Sequence, residues 1–108
     1  MDTLRLSVAQ FEPKDGEKNV NLTIMEDLIA EAKSEGAQVI SFHELCTTGY
    51  TYLQNLTKDQ IARLAEPIPD GWTTQRLIEL AKEHDITVLA GILEEDAGHF
   101  YNSYVALN

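Results

Sequence analysis

Basic residues are scarce in this chain: eight lysines and arginines stand against 18 aspartates and glutamates, a formal net charge of -10 over 108 residues. A field of that sign repels phosphate backbones, so nucleic acid is not an expected partner. Cysteine is scarcer still. With Cys46 alone no internal disulfide can form, and a reducing, cytoplasmic setting is expected. Long hydrophobic runs are also missing. The longest apolar-rich stretch, ITVLAGIL from Ile86 to Leu93, is far too short to span a bilayer, so no membrane partner is expected. The opening MDTLRLSVAQ lacks the basic segment and apolar core of a secretory signal. No GxGxxG fingerprint, phosphate-cradling GxxxxGK[ST] loop, repeat or low-complexity segment occurs. What remains, a hydrophobic content of 44%, suits the packed core of one small domain or of part of a larger one.

The hydrophobic pattern changes period along the chain. Leu4, Leu6 and Val8 alternate with Arg5 and Ser7, which predicts a strand with one well-buried face. After Pro13 and Asp15-Gly16, a stripe of Val20, Ile24, Leu28 and Ala32, with Met25 and Ile29 beside it, predicts a helix capped by Asn19 or Asn21 and stopped by Gly36. AQVISF from Ala37 reads as a second strand. Thr57 and Gln60 have capping-box spacing and open a short helix. Thr73 or Thr74 starts another, with Leu77, Leu80, Ala81 and His84 on one face, and Trp72 is expected to cover the core beside it. ITVLAGIL is a third strand, and FYNSYVALN from Phe100 a fourth, hairpin-paired to it. Helical crossovers imply parallel neighbours, so the expected fold is α/β, a mixed sheet flanked by helices. The chain stops on a strand end at Asn108, which reads as the front part of something longer.

Ligands gather outside the carboxyl ends of parallel strands, and VISFHELCTTGY puts Glu44 at such an end. A carboxylate held there, with apolar walls to raise its pKa, can work as a general base; a solvated loop carboxylate is the plainer alternative. Cys46, two residues on, invites a thiol-and-base reading, yet no third group orients it, and packing is the better account. His43, His84 and His99 do not gather at metal-ligand spacing, so no metal site and no cofactor is expected. Asn102 alternates with Phe100 and Tyr104, which predicts an apolar face where a buried amide would need partners.

Taken in order, VAQFEP, Asn21 with its helix, EGAQVISFHEL, TTGY, VLAGILEED and FYNSYVALN resemble the nitrilase superfamily of carbon–nitrogen hydrolases, and VISFHELCTTGY is the most specific part. The resemblance implies that residues 1–108 are the N-terminal part of a hydrolase domain with an α-β-β-α sandwich fold. It implies cleavage of an amide or nitrile C–N bond by a Glu-Lys-Cys mechanism, a small-molecule substrate, and a homo-oligomer formed through the full-length domain. Glu44 matches the family's general base, and Tyr50 and Asn102 are candidate substrate-pocket residues. His43 stands where the family usually has proline. The family's lysine and nucleophilic cysteine come later than Asn108; neither Lys82 nor Cys46 matches them. The chain alone is therefore expected to be inactive, and the alternative is a non-catalytic α/β binding or assembly module, or a truncated gene product, that kept the fold without the chemistry.

Overall fold

The computed structural model describes residues 3–108. Its elements run β1 (Leu6–Ala9), α1 (Lys18–Ser34), β2 (Val39–Phe42), α2 (Tyr50–Leu53), α3 (Lys58–Leu64), α4 (Trp72–His84), β3 (Thr87–Asp96) and β4 (His99–Leu107). The four strands form one sheet in the order β1-β2-β3-β4. β1 and β2 are parallel, as are β2 and β3, and β3 and β4 are antiparallel with Asp96 opposite His99. The expected mixed sheet is present.

Right-handed crossovers that always step the same way along a sheet put their helices on the same face. Here α1 and α4 lie together, and the core joins Leu22, Met25, Ile29 and Ala32 of α1 and Leu77, Leu80 and Ala81 of α4 to Ile40, Phe42, Val88, Ala90 and Ile92 of the sheet. Each fully buried large side chain in that set contributes about 1.5–3 kcal/mol. On the opposite face β1 and β4 are open. Leu6 and Val8 are 54% and 77% exposed, which corrects the expected burial of the first strand. The alternation was real, but the face it marks is covered by nothing among the described residues. Among the described residues, helices flank the sheet on one side only.

Three smaller expectations are corrected in the same way. The buried stripe of α1 runs through Asn21, Leu22, Met25, Ile29 and Ala32, while Val20 is exposed. Neither Asn19 nor Asn21 is a cap: both lie inside α1, and the N-cap position is Glu17, with no side-chain hydrogen bond. Trp72 is 53% exposed rather than covering the core, and α4 begins on it, capped by Gly71. The capping box of Thr57 and Gln60 is formed, and Gly36 follows the end of α1 at φ +89°.

Glu66 latches the two long helices. Its carboxylate accepts from Lys18 Nζ at 2.7 Å and from the Thr73 N–H at 2.8 Å, and Thr73 Oγ1 donates to it as well. The Lys18 ammonium also donates to the Leu64 carbonyl. The start of α1, the end of α3 and the first turn of α4 therefore meet on one ion pair. Burial would push the Glu66 carboxyl up, but the hydrogen bonds from Lys18 and Thr73 outweigh it and hold the group below its ordinary 4.5.

Candidate active site

β1 and β2 both end at the same rim of the sheet, and the segment after β2 is fixed there by its backbone. Ser41 is the last β2 residue in register with β3. Beyond it the chain lifts across β3 at Gly91. A Cβ built on Gly91 would overlap the Leu45 nitrogen and lie 3.0 Å from Glu44 Cα. Only a hydrogen at that position lets the crossing occur. Leu45 takes a left-handed conformation, φ +49°, and the amides of Thr48 and Gly49 close onto its carbonyl at 3.3 and 2.9 Å.

The rest of the turn is anchored from below. Asn21, wholly buried, donates from Nδ2 to the carbonyls of Thr47 and Lys14, both at 2.9 Å, and accepts from the Lys14 N–H at 2.7 Å. The Gly16 N–H donates to the Thr48 carbonyl at 2.9 Å. One amide therefore ties the loop after β1 to the loop after β2, a role that a polar residue on an apolar helix face signals only once the fold is known. Leu45, Cys46, Thr47 and Thr48 are all buried, whereas Glu44 is exposed. Among the described residues no ion pair or hydrogen bond reaches the Glu44 carboxylate. The apolar walls expected around it are not supplied by those residues. A free carboxylate on a rigid seat can accept a proton from a group brought to it.

Cys46 is packing. Its Sγ lies wholly buried, 3.9 Å from Met25 Sδ and 3.6 Å from the Gly91 carbonyl oxygen, and burial pushes the thiol up to about 11. Thiol and not thiolate is present at neutral pH, and no reagent has a path to it. Iodoacetamide at pH 7.5 is expected to leave Cys46 unmodified in the native chain and to modify it once urea is added, read by intact mass. Rapid native alkylation would restore the thiol-enzyme reading.

Of the other candidates, Tyr50 is 48% exposed at the start of α2 and lines an open cavity of about 750 Å³ with Gln10, Phe11, Asp15 and His43. Glu44 and Asn102 do not line it. Asn102 sits on β4 opposite Leu93, exposed on the open face and not buried as its neighbours suggested. The candidate residues are therefore not gathered into one enclosed pocket by this chain. The Glu26, Glu83 and His84 side chains, from α1 and α4, come within metal-ligand reach of one another, a grouping hidden in the sequence because it joins two helices. Arg76 stands 3.5 Å from Glu26 and supplies cationic charge there already.

His43 packs edge-on against Phe11, ring centroids 5.0 Å apart, with both ring nitrogens buried and without a partner. Burial holds it below its ordinary 6.5, so it is neutral at pH 7. Both lowered groups lose stability towards acid. For His43 the unfolded chain takes the proton first, so stability falls as pH drops below 6.5; for Glu66 the native interactions are intact above 4.5 and vanish as pH falls through the lowered folded value. Urea titrations at stepped pH are expected to show two declines. His43→Phe removes the first. Glu66→Gln is less stable than the parent at pH 7, and that difference closes in strong acid. A flat profile from pH 7 to 5 in the parent would contradict the burial of a neutral His43.

The same chain is recognisable among known proteins. The carbon-nitrogen hydrolase family model matches residues 5–108. The chain is 33% identical over 104 residues to a nitrilase of Pyrococcus abyssi, covering 96% of this chain and 38% of that one. It is 39% identical over 106 residues to the omega-amidase NIT2 of Mus musculus, covering 95% and 35%. The crystal structure of a glutamine-dependent NAD(+) synthetase from Cytophaga hutchinsonii superposes with a TM-score of 0.73 at 26% identity, covering 98% of this chain and 17% of that one. The chain thus spans little more than a third of the length of these two curated relatives. No described helix is long and apolar enough to cross a membrane. A four-stranded mixed sheet, a carboxylate seated at the end of its second parallel strand and a family match over nearly every residue lead to one conclusion: the chain belongs to the carbon–nitrogen hydrolase family.

Proposed function

We propose that residues 1–108 form the front part of a hydrolase domain that cleaves a small amide, with a nitrile as the related alternative, and that Glu44 is its general base. The observation that supports this most is the Glu44 seat: an exposed carboxylate, with no partner among the described residues, on a turn locked by Gly91 and Asn21. A base that must receive a proton cannot already be neutralised, and it must be held still. In the family pattern the base takes the proton of a cysteine thiol, the thiolate adds to the amide carbon, and the glutamic acid returns that proton to the nitrogen, so that ammonia leaves as a thioester forms. Water, deprotonated by the same glutamate, then releases the acid and returns the thiol. The lysine would stabilise the oxyanion of each tetrahedral intermediate. Lysine and cysteine would both come from sequence following Asn108.

The open sheet face supports the sandwich expected from the resemblance, with a second sheet from the rest of the domain covering Leu6, Val8 and their neighbours. Tyr50 would line the substrate pocket and Asn102 would face it across the sheets. A cytoplasmic, homo-oligomeric enzyme is the accompanying proposal. The sealed thiol of Cys46 favours a second reading for the chain acting by itself, a binding or assembly module without chemistry.

Ammonia release from a small amide and a small nitrile tests the reading. The 108-residue chain alone is expected to give none above buffer, and a domain-length product to release ammonia from the amide. Glu44-dependent turnover by the short chain would overturn the assignment of the missing groups.

A further inference from the structure

Tyr104, on β4, is paired in register with Gly91 of β3. Its side chain crosses β3, and its hydroxyl donates to the Phe42 carbonyl at 2.6 Å while lying 2.8 Å from Ser41 Oγ. Both partners belong to the end of β2, on the far side of β3. The reason the carbonyl is free to be reached is topological. Phe42 is still in register with β1, opposite Ala9, but β2 has left β3 after Ser41. The chain lifts there to pass over Gly91, and a strand-end carbonyl without its ladder partner needs a donor. A phenol supplies it from across β3, on the same face of the sheet as Ser41. The absence of a side chain on Gly91 leaves room for the crossing backbone of Glu44 and Leu45.

We propose that Tyr104 is a positioning residue for Glu44. Its hydroxyl pins the Phe42 carbonyl two residues before the carboxylate, and Ser41 completes the clamp by donating to the phenol oxygen. The clamp fixes where β2 stops and therefore where the Glu44 turn starts. Gly91 holds the turn by shape; Tyr104 holds it by a directed hydrogen bond. This rests on the reading of Glu44 as the base. Tyr104 touches no reacting group in this account, and its donor is fully used by Phe42.

Hydrogen exchange on the 108-residue chain reads the clamp without reference to catalysis. Tyr104 is 52% exposed, so Tyr104→Phe keeps the ring and the fold. The amides of Thr48 and Gly49, bonded to the Leu45 carbonyl, are expected to exchange roughly three- to tenfold faster, the worth of one hydrogen bond. Amides in α1 keep their rates. Ser41→Ala gives a smaller change at the same two amides, and Tyr101→Phe gives none. In a domain-length enzyme, Tyr104→Phe is expected to lower kcat by a similar factor with KM unchanged. Unaltered exchange at Thr48 and Gly49 overturns the proposal. Faster exchange with unaltered kcat overturns it too, because the bond is then structural only. Full turnover in Glu44→Gln is a different result, which removes the base assignment and leaves the exchange measurement standing.

Discussion

Gly91→Ala is expected to destabilise the chain by about 3 kcal/mol, near the upper end of overpacking costs, and to lower Tm by roughly 15 °C for a domain of this size. The added methyl would overlap the Leu45 nitrogen and crowd Glu44 Cα at 3.0 Å. Neither atom can step aside easily. Leu45 is already in the left-handed region, its carbonyl closes the turn onto Thr48 and Gly49, and the Gly91 carbonyl receives Cys46 Sγ and Thr47 Oγ1 at 3.6 and 3.4 Å. Relief therefore comes from the turn lifting away as a unit, which exposes buried Leu45 and Cys46 and moves Glu44. Gly98 makes the useful contrast. Unlike Gly91 it takes a positive φ, +81°, and a Cβ there meets nothing within 4 Å, so Gly98→Ala bears only the local backbone cost of about 1–2 kcal/mol. Thermal unfolding of the two variants side by side separates close approach from backbone strain. Equal Tm values would mean that the chain does not cross Gly91 as described.

That dependence marks where the sequence stopped being readable. Alternation and helical spacing located every strand and the long helices, because those periods report on neighbours a few residues away. The capping box of Thr57 and Gln60 was legible for the same reason. Which face of β1 is covered was not. Leu4, Leu6 and Val8 declare an apolar face, but burial depends on what lies opposite, and the described residues supply helices to one side only. Asn21 was read as a cap because polar residues near a helix start usually are; its actual partners, the Lys14 and Thr47 carbonyls, belong to loops that the fold brings under it. Glu44 could be singled out because a strand-end carboxylate is a local pattern. Its seat could not, since Gly91 and Tyr104 reach it from strands much later in the chain. The short helix α2 has no counterpart in the sequence pattern, because four residues carry no period to detect.

The largest functional effect is expected at Glu44 itself. In a domain-length product, Glu44→Gln keeps the size and hydrogen-bonding shape of the side chain but cannot accept a proton at neutral pH. A positioned general base contributes about 10²- to 10⁴-fold, so kcat/KM for a small amide is expected to fall by that factor. The loss should be larger at the acylation step, where the thiol proton must leave. Because the Glu44 carboxylate is exposed and without a partner among the described residues, the substitution removes no contact described for the fold, and Tm is expected to change by less than about 2 °C, as for ordinary surface substitutions. Activity lost with stability kept is the signature of a chemical role. Loss of both together would point to a structural one, and loss of neither would leave Glu44 as a solvated loop carboxylate. Glu44→Asp distinguishes further: it retains the charge but withdraws it by one methylene, and a partial recovery of kcat is expected if a carboxylate at that reach is what the reaction requires.

The most direct measurement is to read the coding sequence immediately past the codon for Asn108. A frame that continues into segments matching the family's lysine and then its nucleophilic cysteine is the result this account expects, with Glu44 as the base of a working hydrolase. A stop codon at that point would contradict it: the polypeptide would hold the seat of the base without a nucleophile to serve, and its function would be binding or assembly.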